Sequence, residues 1–253
     1  MFLLLIVARA EPLNIPGGSF RQGSDRVADE SPVREVTLAG FRIDRTEVSV
    51  DEFEAFVKEG GYGERRWWSA EGWAWLQEHA LGAGAEMRSS GRPASHPVIA
   101  VTWYEAEAYC SSKGGSLPTE AQWEHAACGD GGRRYAWGDS EDFGAAWFKE
   151  GKLGQITDVH TKPVTEEDPT LASPFGLVHT VGNVWEWTRD NYRNNAYVDL
   201  PAVDPIDSTA SLWRTMRGGS YMNLPSYCTC THREPARSDT VRLTTGFRCA
   251  YPA

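Results

Sequence analysis

The chain has 253 residues, 41% of them hydrophobic, enough to bury a sizeable core in one large domain or two small ones. Its 25 basic and 35 acidic residues leave a formal charge of −10, which repels phosphate backbones and anionic membrane surfaces and excludes a nucleic-acid partner. Eleven Trp, 25 Gly and 14 Pro describe a turn-rich chain in which large aromatics carry much of the buried area, as in an irregular α+β domain.

The opening Met1 to Ala8 is apolar but far shorter than the roughly 20 residues that span a bilayer, so no membrane span is expected. Residues 1–16 read either as the tail of a signal segment, with Ala8-Arg9-Ala10 as cleavage site, or as a first strand ahead of a domain over residues 17–253. Pro16 to Ser24 reads as a hairpin-like opening, and Val36-Thr37-Leu38 and Phe41-Arg42-Ile43 as half-buried strands. A helix follows, with Ser49 or Asp51 as N-cap and Phe53, Phe56 and Val57 at helical spacing. Trp67, Trp68, Trp73 and Trp75 crowd into one short stretch; core packing is the ordinary reading and a ligand-stacking platform the sharper one. A second helix runs from Thr102 to Cys110, and a third begins after Pro118 with Thr119 and Gln122 as a capping box. From Gly129 to Pro174 the chain is irregular without becoming a linker. No charge block, low-complexity stretch or internal repeat divides it.

Among the five cysteines, the order Cys228-Thr229-Cys230-Thr231-His232 would put two sulfurs and an imidazole on one strand face. Residues two apart sit about 6.6 Å apart along a strand, too far for sulfurs about 2.3 Å from one metal without a bend. A disulfide plus one free thiol is the competing reading. His96, His125 and His160 read as solvated or hydrogen-bonded. No nucleotide loop or hydrolase elbow is present.

Four motifs stand out: Leu-Pro-Thr-Glu-Ala-Gln-Trp-Glu over 117–124, Gly-Asn-Val-Trp-Glu-Trp over 182–187, Arg217-Gly218-Gly219-Ser220-Tyr221-Met222, and Gly246-Phe247-Arg248-Cys249. With them the chain, from about Gly17 to Ala250, resembles the formylglycine-generating enzyme (sulfatase-modifying factor) family. The resemblance implies an irregular α+β fold related to C-type lectins and poor in regular secondary structure. It also implies catalysts that hold copper between two cysteines and oxidise a cysteine of a client sulfatase. Cys228 matches the second of those cysteines, but Asn223 stands at the first and Leu224 where the catalysts commonly carry a polar residue. An amide cannot become an anionic soft ligand, so the copper site is incomplete. Ser220 and Tyr221 match the active-site strand.

By the same resemblance Cys110 pairs with Cys249, and Cys128 with Cys230 or, alternatively, with Cys228. These bridges lean the expected location towards an exported one. A calcium ion is implied in the loop of Gly182 and Val184, which offer carbonyls, and Glu186, which offers its carboxylate. His179 occupies the position of a fourth ligand and is a poor one; the competing reading pairs Glu186 with an arginine. A second family calcium site finds no match around Ala145-Ala146-Trp147. The leading expectation is a divergent binding or accessory module for a protein or peptide ligand. The alternatives are a copper-dependent oxidase converting a sulfatase cysteine to formylglycine, and a lectin-like receptor with a variable face over Tyr221 to Thr245.

Overall fold

The structure is a computed structural model, and it describes residues 11–79, 91–141, 143, 146, 161–165 and 168–253. The expectation for the apolar segment at Met1 to Ala8, His160 and most of the Ala145 to Trp147 stretch lie outside these residues.

Among the described residues, three small sheets and four principal helices pack around a large aromatic cluster and a second, more aliphatic one under the N-terminal strands. Strands β1 (Leu13–Ile15), β4 (Phe41–Ile43) and the chain-terminal β9 (Ala250–Pro252) pair in that order. Strand β2 (Gly18–Gln22) pairs antiparallel with β3 (Arg34–Leu38). The Pro16 to Ser24 opening is therefore one strand of a wider hairpin, not a hairpin in itself. The functional scaffold is the sheet β7-β6-β5-β8, built from β5 (Trp185–Asn191), β6 (Trp213–Arg217), β7 (Glu234–Arg237) and β8 (Thr245–Gly246). Its register sets Glu186 opposite Arg217 at one end of the β5–β6 ladder and Asn191 opposite Arg214 at the other.

Local signals position the helices. α1 (Val50–Lys58) starts at Ser49, whose amide donates to Glu52 Oε2 at 2.9 Å, so Ser49 rather than Asp51 is the cap. α2 spans Ala70–His79, and α3 spans Trp103–Ser112 with Thr102 and Glu105 as a reciprocal cap. α4 (Glu120–Cys128) begins with the expected Thr119–Gln122 box: the Gln122 amide donates to Thr119 Oγ1 at 3.1 Å, and Gln122 Oε1 accepts from the Thr119 amide at 2.9 Å.

Phe53, Phe56, Tyr109 and Phe247 stack edge and face in the centre, beside the fully buried Trp187. Trp68 is buried with its indole N–H on Gly61 O, while Trp67, Trp73 and Trp75 pack half-buried against the same core. The tryptophan cluster is core packing. Disulfides join Cys110 to Cys249, tying α3 to the run into β9, and Cys128 to Cys230, tying the end of α4 to the segment before β7. No helix among the described residues is long and apolar enough to cross a membrane.

Candidate functional site

At the lower end of the β5–β6 ladder the chain leaves β6 through Gly218 and Gly219, both at positive φ, and turns back as a short 3-10 helix, Pro225–Tyr227. Cys228 caps that turn. A Cβ on Gly219 would lie 2.2 Å from Cys228 Sγ, so the second glycine is what lets the thiol tuck under the strand end. Cys228 is fully buried and free, and its Sγ donates to Leu224 O at 3.6 Å. Burial pushes the thiol up to about 12 from an ordinary value near 9, against the amides of Ser220 and Gly182, which favour the thiolate.

Asn223 closes the turn above it. Its amide N–H donates to Ser220 O at 3.0 Å, and its side-chain Oδ1 accepts from Ser220 Oγ at 2.5 Å. Tyr221 donates its amide to Asn183 O at 3.0 Å and its ring is largely buried. Ser220, Tyr221, Asn223 and Cys228 are thus brought together, in turns rather than on a strand. Met222, Leu224 and Tyr227, between 46% and 58% exposed, form the apolar rim that this turn presents to solvent.

Of the two readings of the Cys228 to His232 run, the disulfide plus one free thiol is realised and the Cys228/Cys230/His232 metal set is not. Cys230 Sγ is bonded to Cys128, and Thr229 to His232 form a turn, so the alternation of a strand face does not exist there. His232 instead packs on Trp185 and Tyr227 beside Glu30. Of the two pairings open to Cys128, the one with Cys230 is realised, which leaves Cys228 as the thiol. One thiol beside an amide already bonded to Ser220 does not match a two-thiolate copper site.

The Gly182 to Glu186 loop packs against the same turn, with the Gly182 amide donating to Gly218 O. Glu186 is fully buried, and Arg248 grips its carboxylate from both sides, Nε to Oε2 at 2.6 Å and Nη2 to Oε1 at 2.7 Å. The Trp123 indole N–H adds 2.8 Å to Oε2. Burial raises the Glu186 carboxyl in spite of Arg248. His179, at φ +58°, places Nδ1 3.2 Å from Glu47 Oε2, and Asn183 Nδ2 donates to Glu47 Oε1 at 2.8 Å. Burial acts to raise Glu47, but His179 and Arg248 outweigh it and hold the carboxyl below its usual range. Val184 is buried. The calcium ligand set implied by resemblance is therefore engaged on both of its side chains, Glu186 with Arg248 and His179 with Glu47, and as it stands does not fit a cation that needs six to eight oxygens.

Reading by sequence missed the network that holds this end of the sheet. Arg217 donates to Glu120 Oε1 (2.5 Å), Glu124 Oε2 (2.6 Å) and Cys230 O (2.6 Å); Arg233 forks onto Glu120 at 2.7 and 2.9 Å. All four side chains are buried. A signal existed: Glu120 and Glu124 sit in the 117–124 motif and Arg217 opens the Gly-Gly-Ser motif, charges inside otherwise core-forming runs.

A disulfide-tied, irregular α+β scaffold presenting a buried thiol under a glycine-glycine turn defines a domain of the formylglycine-generating-enzyme type, whose fold is related to C-type lectins. The family model described as the sulfatase-modifying factor enzyme 1-like domain matches residues 8–253, and the chain belongs to that family. It is 36% identical to a formylglycine-generating enzyme of Streptomyces coelicolor, over 95% of this chain and 89% of that one. It is 31% identical to a formylglycine-generating enzyme of Mycobacterium tuberculosis, over 94% and 97%. A hercynine oxygenase of Mycolicibacterium smegmatis is 32% identical over 83% of this chain and 54% of its own length. Among solved structures, Treponema denticola variable protein 1 superposes with a TM-score of 0.73 at 21% identity, covering 96% of this chain and 95% of that one. PvdO from Pseudomonas aeruginosa gives 0.71 at 21%, covering 95% and 93%. At these identities the two show the fold alone.

Proposed function

We propose that this chain is a divergent binding or accessory domain of its family, taking a protein or peptide segment on the rim of Met222, Leu224 and Tyr227, without two-thiolate copper oxidation. The observation that carries this reading is the Ser220 Oγ to Asn223 Oδ1 bond: the position assigned by resemblance to the first thiolate holds an amide oxygen that closes the turn. Beneath it the thiol is neutral and sealed. Two disulfides support an exported location.

The test is incubation of the purified protein with copper, oxygen and a cysteine-containing sulfatase peptide, followed by peptide mass spectrometry. No aldehyde is expected from the natural chain, and Asn223→Cys should raise copper affinity sharply, activity lagging because Leu224 supplies no polar group. Aldehyde formed by the unmodified chain and lost in Cys228→Ser would establish the enzyme reading, an oxygen-dependent oxidoreductase like the named relatives. One observation favours that second reading, the two amides directed at Cys228 Sγ. Alkylation separates the two independently. With the thiol raised from near 9 to about 12, Cys228 should react roughly a thousandfold more slowly than an ordinary thiol at pH 8; a rate near that of an ordinary thiol would contradict the sealed site.

In the Gly182 to Glu186 loop, Arg248 gives Glu186 the positive charge that an ion would supply, and the His179 imidazole lies against Glu47. On this reading the Arg248–Glu186 pair and the His179–Glu47 contact support the loop where the resemblance implies a metal.

A further inference from the structure

A cleft of about 710 Å³ opens at the other end of the β5–β6 ladder, where Asn191 faces Arg214, remote from the Cys228 turn that follows Arg217. Its walls come from Ser69 and Glu71 at the start of α2, α3, the end of β5, β6 and the loop over residues 206–212, in which the Asp207 carboxylate is held by Arg193. Its size is that of a small-molecule site.

Two buried acceptors in its lining lack donors. Glu107 Oε2 has no hydrogen-bond partner, while Ser69 bonds the same carboxyl group. Asn191 spends its Nδ2 on Thr209 O at 2.7 Å, and its Oδ1 has no partner. A buried acceptor without a donor costs stability, and such groups are rare unless something outside the chain completes them.

Two guanidinium groups line the same space. Arg214 lies with its carbon 3.7 Å from the centre of the Trp103 ring and gives its Nε to Ser238 Oγ at 3.3 Å; Arg189 is exposed. Both act on the Glu107 carboxyl through space, yet burial still leaves it raised. The aromatic surfaces are already committed. Arg214 covers Trp103, whose indole N–H is spent on Thr188 O, and Tyr104 packs on Trp75. Nothing here offers a free platform to an apolar ring. The lining wants an anion at the arginines and donors at Glu107 and Asn191.

We propose that this cleft binds a small hydrophilic organic acid, its carboxylate on Arg189 and Arg214 and its neighbouring hydroxyl or ammonium donors on Glu107 Oε2 and Asn191 Oδ1. A sugar acid and an amino acid both have that chemistry. The site is independent of the Cys228 turn and of the function proposed for it.

Calorimetric titration of the full chain with D-glucuronate, L-glutamate and acetate tests it. One of the first two should saturate, glucuronate first if the donors are hydroxyls and glutamate first if they are an ammonium, with acetate at least about tenfold weaker because it brings no donor. Arg189→Gln, at an exposed position, should weaken the preferred acid at least about tenfold, and Arg214→Lys, which keeps the charge but loses the fork, should weaken it as well. Absence of saturation by either acid up to about 10 mM would overturn the proposal. So would binding unchanged in both arginine variants, or acetate binding as tightly as the preferred acid. Loss of binding in Cys228→Ser alone would place the ligand at the other end of the ladder and overturn it equally.

Discussion

The two ends of the β5–β6 ladder treat buried charge in opposite ways. At the Glu186–Arg217 end the buried carboxyl groups of Glu120, Glu124, Glu186 and Glu47 each meet a guanidinium or an imidazole: Arg217 holds Glu120 and Glu124, Arg248 holds Glu186 and His179 bonds Glu47. At the Asn191–Arg214 end a carboxyl oxygen and an amide oxygen are buried without a donor, beside two arginines that line an open cleft. Paired charge holds a backbone in place; unpaired polarity is stability given up, and a ligand can recover it. The family motifs surround the first end and secure the scaffold of the thiol turn, while the second end is free to acquire a different use.

The difference can be tested by charge removal, beginning with the change of largest effect. Arg217→Met strips the centre of the paired network and leaves Glu124 without its arginine, so unfolding free energy should fall by about 3–5 kcal/mol. A loss below about 1 kcal/mol by denaturant titration would mean that the network does not hold the end as described.

Acid titration comes next. Burial alone would raise Glu120, but Arg233 and Arg217 bring it down to about 2 from 4.5. A lowered folded value means that its contribution is complete above pH 4.5 and lost as pH falls towards 2. Removing this linkage with Glu120→Gln should flatten the acid limb by about 3 kcal/mol.

Glu186→Gln should cost about 2–3 kcal/mol, since Arg248 keeps only a neutral partner, and by the same amount in calcium and in chelator. A cost seen only in calcium would restore the metal reading of the 182–186 loop.

The smallest effect belongs to the cleft. Glu107→Gln removes a half-buried acid raised by its surroundings, so stability should change by within about 1 kcal/mol of zero. The sign of its pH dependence is opposite to that of Glu120: a raised folded value gives stability that is present below the unfolded value and lost as pH rises through the folded one. A loss comparable to that of Arg217→Met would erase the contrast between the ends.

What could be read from residue order alone were the features whose partners are near in sequence or carried by motifs. Ser49 with Glu52 and Thr119 with Gln122 close within one helical turn, so spacing is enough to find them. The irregular α+β class followed from glycine, proline and tryptophan content, and the Cys110–Cys249 bridge followed from motif resemblance across a separation of 139 residues. Which sulfur Cys128 would take stayed open, because Cys228 and Cys230 are two residues apart and a turn, not a strand, decides which of them faces α4.

Tertiary structure alone decided the partners of charge. Glu186 meets Arg248 across 62 residues and His179 meets Glu47 across 132, distances at which no periodicity survives. It also decided that Asn223 turns its oxygen to Ser220 and that Cys228 is sealed beneath it, since a thiol's acidity is set by what surrounds it and not by its neighbours in the chain. The amino-acid sequence by itself determined the scaffold, through local caps, core aromatics and glycines at the turn. Packing determined which polar groups would be satisfied, because a buried charge is balanced by whatever the folded chain brings within a few ångströms, wherever that lies in the sequence.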